Sequence, residues 1–234
     1  MCTGRIDLAF IVKAFLEGAD GVYIAGCKLN ECNYTTHGNF YALNVSLLFK
    51  ALMDYFGINK GRIRIEFLSS SEGLFFVETV SDFIRNVAEL GPLGEAEQIA
   101  PDDLKIKLSY LLKLVPYLKI ATRLKLQSKI SDPSKWDQLF TKEEIIKLIN
   151  EAPAYWIDPE KCVACTLCAQ RCPVEAIDGG KNKIHIIIQD KCIKCGNCFE
   201  VCPSRFSAVK KLVGMSVPEP IKDEQRYVKK SDTG

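Results

Sequence analysis

Apolar positions in the first part of the chain follow helical and strand spacing in turn. Residues 6–18 are apolar on most sides, as in a packed helix, and residues 40–56 form a second apolar helix. Residues 21–26 form a short apolar run bounded by glycines, and residues 62–68 alternate apolar with charged side chains. With a third amphipathic helix at 72–90, this order predicts a parallel α/β sheet with crossover helices.

The segment from 95 to 152 has a helical pattern and carries no chemical motif. An apolar stripe runs until Pro116, where we expect the helix to be interrupted. Residues 119–129 place basic side chains beside leucines, which indicates a solvated face rather than a nucleic-acid site. Thr141 and Glu144 have the spacing of a capping box. We interpret this segment as a helical connector or a partner-docking arm.

Two copies of the pattern C-x2-C-x2-C-x3-C-P follow, at residues 162–173 and 192–203. In bacterial ferredoxins the fourth cysteine of such a run ligates the other cluster. We therefore predict two [4Fe–4S] clusters. One is held by Cys162, Cys165, Cys168 and Cys202, and the other by Cys192, Cys195, Cys198 and Cys172.

The spacing within each run explains this chemistry. Thiolates two residues apart can surround one face of a cubane, and thiolates suit soft iron–sulfur sites. The proline after the fourth cysteine removes a backbone donor and directs the chain away from the metal. A zinc site would show paired C-x2-C with four ligands, and a secreted disulfide framework is the other alternative. Two full runs with both prolines favour the clusters.

The second half of this region repeats the first. Residues 155–162 resemble residues 188–192 at the approach to each run, as expected of an internal duplication. We predict short helices at 174–177 and 206–212, after the two runs, and a strand at 183–188.

Composition narrows the class of protein. The chain has 234 residues and a formal net charge of +2, which gives no electrostatic argument for nucleic acid. Eight of its eleven cysteines lie in the two runs, which favours metal binding over a disulfide scaffold. We expect no signal peptide and no membrane span. The expectation is a cytoplasmic protein of an anaerobe, because exposed [4Fe–4S] clusters are sensitive to oxygen.

The three remaining cysteines lie where a parallel sheet would form a site. Cys27 and Cys32 follow the first predicted strand, and Cys2 precedes the first helix. From spacing alone, metal ligation and a role as small buried side chains both stay open. The two histidines, His37 and His185, are interpreted as structural, and we expect no Rieske centre, which needs a paired-histidine site.

Five stretches of the first domain resemble the delta subunit of methyl-viologen-reducing hydrogenase. They are CTGRI at 2–6, AFLEGADGVY at 14–23, GCKLNECNY at 26–34, SSSEG at 69–73 and LGP at 90–92. The resemblance covers roughly residues 1 to 92.

The resemblance implies a small iron–sulfur protein with a [2Fe–2S] cluster, for which Cys2, Cys27 and Cys32 become candidate ligands. It also implies electron transfer from a hydrogenase or formate dehydrogenase to the flavin-containing, bifurcating subunit of heterodisulfide reductase. Members of that family usually carry a further strand with additional cysteines ahead of the first motif, whereas Met1 precedes Cys2 here. Three cysteines cannot complete a four-thiolate cluster. Either the chain is N-terminally incomplete, or a partner chain donates the missing piece, or the cluster is absent; we expect a cluster that takes a ligand from outside this sequence.

A second departure concerns the loop between the cysteines. Lys28, Asn30, Glu31 and Asn33 replace the family's more usual His and Asp. This difference affects details of an interface and leaves the thiolates in place.

These observations predict four regions in an α/β chain. They are a small parallel, flavodoxin-like domain at 1–94, a helical connector at 95–152, a ferredoxin-like 2[4Fe–4S] domain at 153–215 and an extended tail at 216–234.

The predicted function is that of an electron-transfer subunit without a substrate-converting site of its own. Its expected partners are a hydrogenase, formate dehydrogenase or other oxidoreductase and a heterodisulfide-reductase-type flavoprotein. One alternative is a self-contained iron–sulfur reductase acting at the first domain. Another is a redox sensor whose basic arm at 119–129 contacts a partner.

Overall fold

The computed structural model describes residues 2–34 and 38–227, so His37 lies outside the described residues. The chain divides into two compact units after Ile149, and residues 95–149 belong to the first of them. Within the described ranges, no helix has both the length and the apolar character needed to cross a bilayer.

The first unit is mixed α/β. In chain order it contains α1 (Leu8–Leu16), β1 (Val22–Gly26), α2 (Asn39–Phe56), β2 (Ile63–Phe67), α3 (Gly73–Leu90), α4 (Pro101–Ala121), α5 (Arg123–Leu126) and α6 (Lys142–Asn150). Strands β1 and β2 pair in parallel, with Val22 opposite Ile63 and Gly26 opposite Phe67. The predicted parallel pairing is confirmed, and the flavodoxin-like strand order stays a prediction.

Helix α2 connects the two strands and forms the centre of the core. Its side chains Leu43, Leu48, Phe49 and Leu52 are fully buried. Gly57 ends the helix at a φ of 77°, a left-handed conformation that glycine adopts without a Cβ clash. The crossover therefore brings the carboxyl ends of both strands to the same edge of the sheet.

The predicted interruption at Pro116 is wrong, because α4 continues through it to Ala121. A proline inside a helix removes one backbone hydrogen bond and typically costs about 3 kcal/mol. Here Leu111, Leu114, Val115 and Leu118 on both sides of the proline are almost completely buried. Burial of this continuous apolar face outweighs the lost hydrogen bond.

The basic segment after α4 packs within the first unit. Lys119 forms an ion pair with Asp7, and Lys125 forms one with Glu144. The capping box is half formed: the Glu144 backbone N–H donates to Thr141 Oγ1 at 3.3 Å, while the Glu144 carboxylate binds Lys125. Two lysines of the predicted basic arm are thus held by acids of the same unit.

The second unit carries both cysteine runs on short elements. They are β3 (Ala154–Ile157), α7 (Leu167–Gln170), β4 (Ile177–Gly180), β5 (Lys183–Ile187), α8 (Asn197–Val201) and β6 (Val209–Leu212). Strand β3 pairs antiparallel with β6, and β4 pairs antiparallel with β5. Each cysteine run therefore lies between a strand that precedes it and a strand that follows it.

The helices predicted after the two runs are wrong, since those segments end in strands β4 and β6. The helical turns lie inside the runs instead, where α7 contains Cys168 and α8 contains Cys198. A short apolar stretch is compatible with a helix or with a strand. Here the two segments form strands because β4 pairs with β5 and β6 pairs with β3.

The C-terminal segment is anchored by one buried arginine. Arg226 is 2% exposed, and its Nε donates to the Ile184 carbonyl at 3.0 Å. Its guanidinium also pairs with Asp178 at 2.6 Å and with Asp223 at 2.9 Å. The bonds to Ile184 and Asp178 fasten Arg226 to the β4–β5 hairpin.

Candidate iron–sulfur sites

A cavity in the second unit is lined by four cysteines from both runs, which we name the first cluster site. Its thiols are those of Cys162, Cys165, Cys168 and Cys202. The other lining groups are mostly apolar and include Leu167, Phe206 and Val209. Three thiols from one run and the fourth from the other form the arrangement predicted from the sequence.

A second cavity has the complementary set, which we name the second cluster site. Its thiols are those of Cys172, Cys192, Cys195 and Cys198. Tyr155, Ile187 and Gly196 complete much of the wall. All eleven cysteines lie in the described part of the chain, and each is a free thiol there.

The two runs make the same backbone turns. Ala164 and its counterpart Lys194 have φ values of 54° and 57°. Thr166 and its counterpart Gly196 have φ values of 66° and 83°. These left-handed residues turn the chain tightly between successive cysteines, so that their side chains converge. Glycine at 196 also leaves room for Tyr155, because a Cβ there would lie 2.8 Å from the Tyr155 hydroxyl.

Backbone donors reach the sulfurs of the second cluster site. The Ala176 N–H donates to Cys172 Sγ at 3.2 Å, and the Lys194 N–H donates to Cys192 Sγ at 3.5 Å. Hydrogen bonds of this kind stabilise thiolate and tune a bound cluster.

Burial shapes the ionisation of the innermost thiols. Burial, with the Cys162 thiol close by, raises the pKa of Cys168 to about 11. Burial and the nearby Cys192 raise the pKa of Cys198 to about 12. Burial and the surrounding cysteines also raise the pKa of Tyr155 to about 12. Metal binding must displace the thiol protons, which links cluster insertion to folding of this unit.

The donor sets fit iron–sulfur clusters by their chemistry. Each cavity offers four thiols in an otherwise largely apolar wall, and [4Fe–4S] clusters take four thiolates. Across residues 2–34 and 38–227, no three Cys, His, Asp or Glu side chains meet closely enough to hold a single ion. A [4Fe–4S] cluster holds its four thiolates farther apart than a single metal ion does, because the cluster lies between them. The feature to compare with such a cluster is therefore a cavity lined by thiols.

The first unit brings its three cysteines together, and we name them the three-thiol site. Cys2 Sγ and Cys32 Sγ are 3.7 Å apart. Two thiolates on one tetrahedral metal, with bonds of about 2.3 Å, lie about 3.8 Å apart. The Cys27 thiol interacts with both, and burial and these two neighbours raise the pKa of Cys27. The predicted convergence at the carboxyl end of β1 is therefore present.

Asn39 holds the three-thiol site and was missed from the sequence. It is almost fully buried, and its Nδ2 donates to the Cys27 carbonyl at 2.7 Å and to the Lys28 carbonyl at 2.6 Å. Burial opposes ionisation of Cys32, but hydrogen bonds from the backbone N–H groups of Tyr34 and Asn39 and from the Cys2 and Cys27 thiols together outweigh it and lower the pKa of Cys32. The sequence feature that could have identified Asn39 is its position as a polar residue at the start of an apolar helix.

His185 was also missed as a site residue. It is 1% exposed, it lines the first cluster site, and its Nδ1 lies 3.9 Å from Cys162 Sγ. Burial, and to a lesser extent Arg226, lower the pKa of His185. The internal duplication could have identified His185, because it precedes Cys192 by as many residues as Tyr155 precedes Cys162.

Comparison with protein families gives two matches. Residues 1–91 match the family described as methyl-viologen-reducing hydrogenase, delta subunit, and residues 155–209 match a 4Fe-4S dicluster domain. The resemblance of the first domain to this delta subunit and the ferredoxin-type domain predicted from the two cysteine runs are thus both confirmed at the level of the family.

Individual relatives match the first part of the chain. An iron-sulfur subunit of the F420-non-reducing hydrogenase of Archaeoglobus profundus is 43% identical over 91 residues, which are 39% of this chain and 66% of that protein. The corresponding vhu iron-sulfur subunit of the F420-non-reducing hydrogenase of Methanopyrus kandleri is 38% identical over 93 residues, which are 40% of this chain and 70% of that protein.

A second kind of relative carries the same segment in a longer chain. It is a subunit of the ferredoxin:CoB-CoM heterodisulfide reductase of Methanosarcina mazei, which is 38% identical over 94 residues. Those residues are 40% of this chain but 12% of that protein. The chain thus spans about two thirds of the two hydrogenase relatives and about one eighth of the heterodisulfide reductase relative.

Proposed function

This chain belongs to the methyl-viologen-reducing hydrogenase delta subunit family, and we propose that it is an iron–sulfur electron-transfer subunit. It relays electrons between a hydrogenase- or formate-dehydrogenase-type donor and a heterodisulfide-reductase-type flavoprotein. The observation that carries this proposal is the sorting of eight thiols into two cavities, with one thiol exchanged between the runs.

In this proposal the two cavities hold one [4Fe–4S] cluster each. Bound clusters supply one-electron chemistry, and the protein supplies their position and electronics. The thiols of the first and second cluster sites bind iron, the apolar walls exclude water, and backbone N–H groups donate to the sulfurs. Such sites pass electrons without converting a substrate.

The three-thiol site holds a [2Fe–2S] cluster in the same proposal. Cys2, Cys27 and Cys32 would hold this cluster, and the sulfur–sulfur distance of 3.7 Å between Cys2 and Cys32 suits two thiolates bound to one metal ion. Two irons of this kind take four thiolates, and the other eight cysteines belong to the second unit. The proposal includes a fourth ligand, which we assign to a group outside this sequence.

The relatives support the choice of partners. One group is named as the iron–sulfur component of a hydrogenase. Another carries the matching segment within a longer chain that is named as part of a heterodisulfide reductase. A segment that occurs both as a separate small protein and within a heterodisulfide reductase chain supports association of this chain with a flavoprotein of that type.

The proposal is tested on the native complex, purified under anaerobic conditions through a tag on this chain. Hydrogen and formate are added separately, and rapid freeze-quenching with electron paramagnetic resonance (EPR) follows cluster reduction while absorbance follows the flavin. We expect cluster signals that rise before the flavin is reduced. Cys195→Ser should slow flavin reduction strongly, whereas Gly180→Ala, which adds a Cβ into open space, should not.

Two outcomes would contradict this function. One is a purified complex that contains no oxidoreductase or flavoprotein component. The other is flavin reduction at an unchanged rate in Cys195→Ser, because electrons would then bypass the second cluster site.

A further inference from the structure

His185 is fixed against a cysteine of the first cluster site by the β4–β5 hairpin. Its Nδ1 lies 3.9 Å from Cys162 Sγ, a distance suited to a weak N–H···S hydrogen bond. Gly179 leaves the space that the ring occupies, because a Cβ there would lie 2.4 Å from the ring Cδ2. Arg226 fastens the same hairpin through the Ile184 carbonyl. The position of the imidazole is thus set by the fold.

The surroundings of the two ring nitrogens determine which nitrogen of His185 carries the proton. Nε2 is buried and has no hydrogen-bond partner among the described residues. A lone pair on Nδ1 would point at the lone pairs of an anionic sulfur, which is repulsive. Nδ1 therefore carries a proton when Cys162 is a thiolate, in the neutral ring and in the charged ring alike.

The surroundings of His185 strengthen this contact. Besides the first cluster site, the ring lines a neighbouring cavity of about 320 Å³ whose wall is largely apolar, with Trp156, Ile186 and Ile221 among its residues. Hydrogen bonds are electrostatically stronger in such low-dielectric surroundings than in water.

The duplicated half of the unit provides the comparison. Tyr155 holds the position equivalent to His185 and lines the second cluster site. Its hydroxyl lies beside Gly196. The two cluster sites thus carry different aromatic residues at the same place, and one of these residues reaches a ligand sulfur with a nitrogen.

We propose that His185 donates a hydrogen bond from Nδ1 to the Cys162 thiolate and thereby raises the reduction potential of the first cluster. The reduced cluster carries one more negative charge, so a donor to its sulfur stabilises the reduced form more than the oxidised form. This inference rests on the proposed assignment of a [4Fe–4S] cluster to each cavity.

The test is an EPR-monitored redox titration of the full chain with its clusters bound. His185→Phe should lower the midpoint potential of the first cluster and leave that of the second unchanged. Tyr155→Phe, the matched control in the other half, should leave the first cluster unchanged. Cys165→Ser and Cys195→Ser assign the two signals, because each replaces a ligand in one site only.

Selective labelling detects the contact itself. The chain has two histidines, so incorporation of ¹⁵N-histidine marks few nitrogens. Pulsed EPR on the reduced first cluster should show a ¹⁵N coupling that His185→Phe removes. Gly179→Ala gives a second route, because its Cβ displaces the ring without changing a ligand, and it should lower the same potential.

The outcomes separate this inference from the proposed function. An unchanged first-cluster potential in His185→Phe, or equal shifts of both clusters, would overturn the role of His185. If that variant binds no clusters, the absence of a ¹⁵N coupling in the unmodified chain would overturn it. A chain without two [4Fe–4S] signals would instead overturn the proposed function.

Discussion

The second unit gathers eight thiols into two sets of four, whereas the first unit gathers three thiols at one edge of a two-stranded sheet. All-cysteine [2Fe–2S] and [4Fe–4S] clusters take four thiolates. The second unit therefore contains all the ligands its proposed clusters need. The [2Fe–2S] cluster that we propose for the first unit would need one ligand more than the three thiols that this unit brings together.

The support behind the thiols differs in the same way. In the second unit, left-handed turns inside each run make the cysteines converge, so the geometry is largely local. In the first unit, Cys2, Cys27 and Cys32 converge through the sheet and through buried side chains such as Asn39. Changes away from the cysteines should therefore affect the three-thiol site more than the two cluster sites.

The largest expected effect tests the exchange of ligands between the runs. Cys172 belongs to the first run but lines the second cluster site. Cys172→Ser should therefore alter or abolish the same EPR signal as Cys195→Ser. Iron analysis and low-temperature EPR on the full chain measure this. If Cys172→Ser changes the signal that Cys165→Ser changes, the runs bind clusters without exchange.

The next effect concerns a buried ion pair in the first unit. Arg62 and Glu97 side chains are 0% and 3% exposed and meet at 2.7 Å. Arg62→Met leaves the Glu97 carboxylate buried without its partner and should destabilise the first unit by about 3–5 kcal/mol. Chemical denaturation followed by circular dichroism measures the change, and the two [4Fe–4S] signals should persist.

The Arg62–Glu97 pair also predicts how the stability of the first unit changes with pH. Burial opposes ionisation of Glu97, but hydrogen bonds from Arg62 outweigh it and lower the pKa of that carboxyl. Its stabilising contribution is present above the ordinary carboxyl pKa and is lost as pH falls through the lowered value. Arg62→Met removes the hydrogen bonds that lower this pKa and leaves the effect of burial, which raises it, so the dependence should weaken or reverse. An unchanged dependence would contradict the pairing.

A smaller effect concerns the amide behind the three-thiol site. Asn39→Ala leaves the Cys27 and Lys28 carbonyls without their donor and should cost about 1–3 kcal/mol. It should also alter a [2Fe–2S] signal in the native complex.

Asn44 is the matched control for Asn39. It lies on the same helix, is equally buried, and its Nδ2 donates to carbonyls of Leu126 and Ser128 at 3.1 and 2.8 Å. Asn44→Ala should have a similar effect on stability without altering the [2Fe–2S] signal. Identical spectra for the two variants would show that Asn39 has no special relation to the thiols.

The smallest expected effect is at the end of α2. Gly57→Ala forces a Cβ into a left-handed conformation and should destabilise the first unit by about 1 kcal/mol. Gly73→Ala, at the first position of α3 and facing open space, is the control and should be close to neutral. Thermal unfolding distinguishes the two, and equal midpoints would contradict the strain at Gly57.

The features encoded within short stretches could be predicted from the sequence. The cysteine spacing is sufficient to predict the grouping of eight thiols, and glycine after an apolar run marks the end of α2 at Gly57. The parallel pairing of β1 and β2 followed from the alternation of elements.

Features set by distant contacts could not be predicted in this way. Continuation of α4 through Pro116 depends on burial of leucines on both of its sides. The choice of strand at 209–212 depends on pairing with β3. The contact of His185 with Cys162 depends on a hairpin, on Gly179 and on an arginine far along the chain.

The measurement that tests the account most directly is an anaerobic iron and sulfide count with EPR, made on the isolated chain and on the native complex. We predict about eight iron atoms in two [4Fe–4S] clusters on the isolated chain. In the complex we predict an additional [2Fe–2S] signal that Cys27→Ser or Cys32→Ser removes while the other signals remain. An isolated chain that binds zinc in place of iron, or a complex whose spectrum is unchanged by both substitutions, would contradict the account.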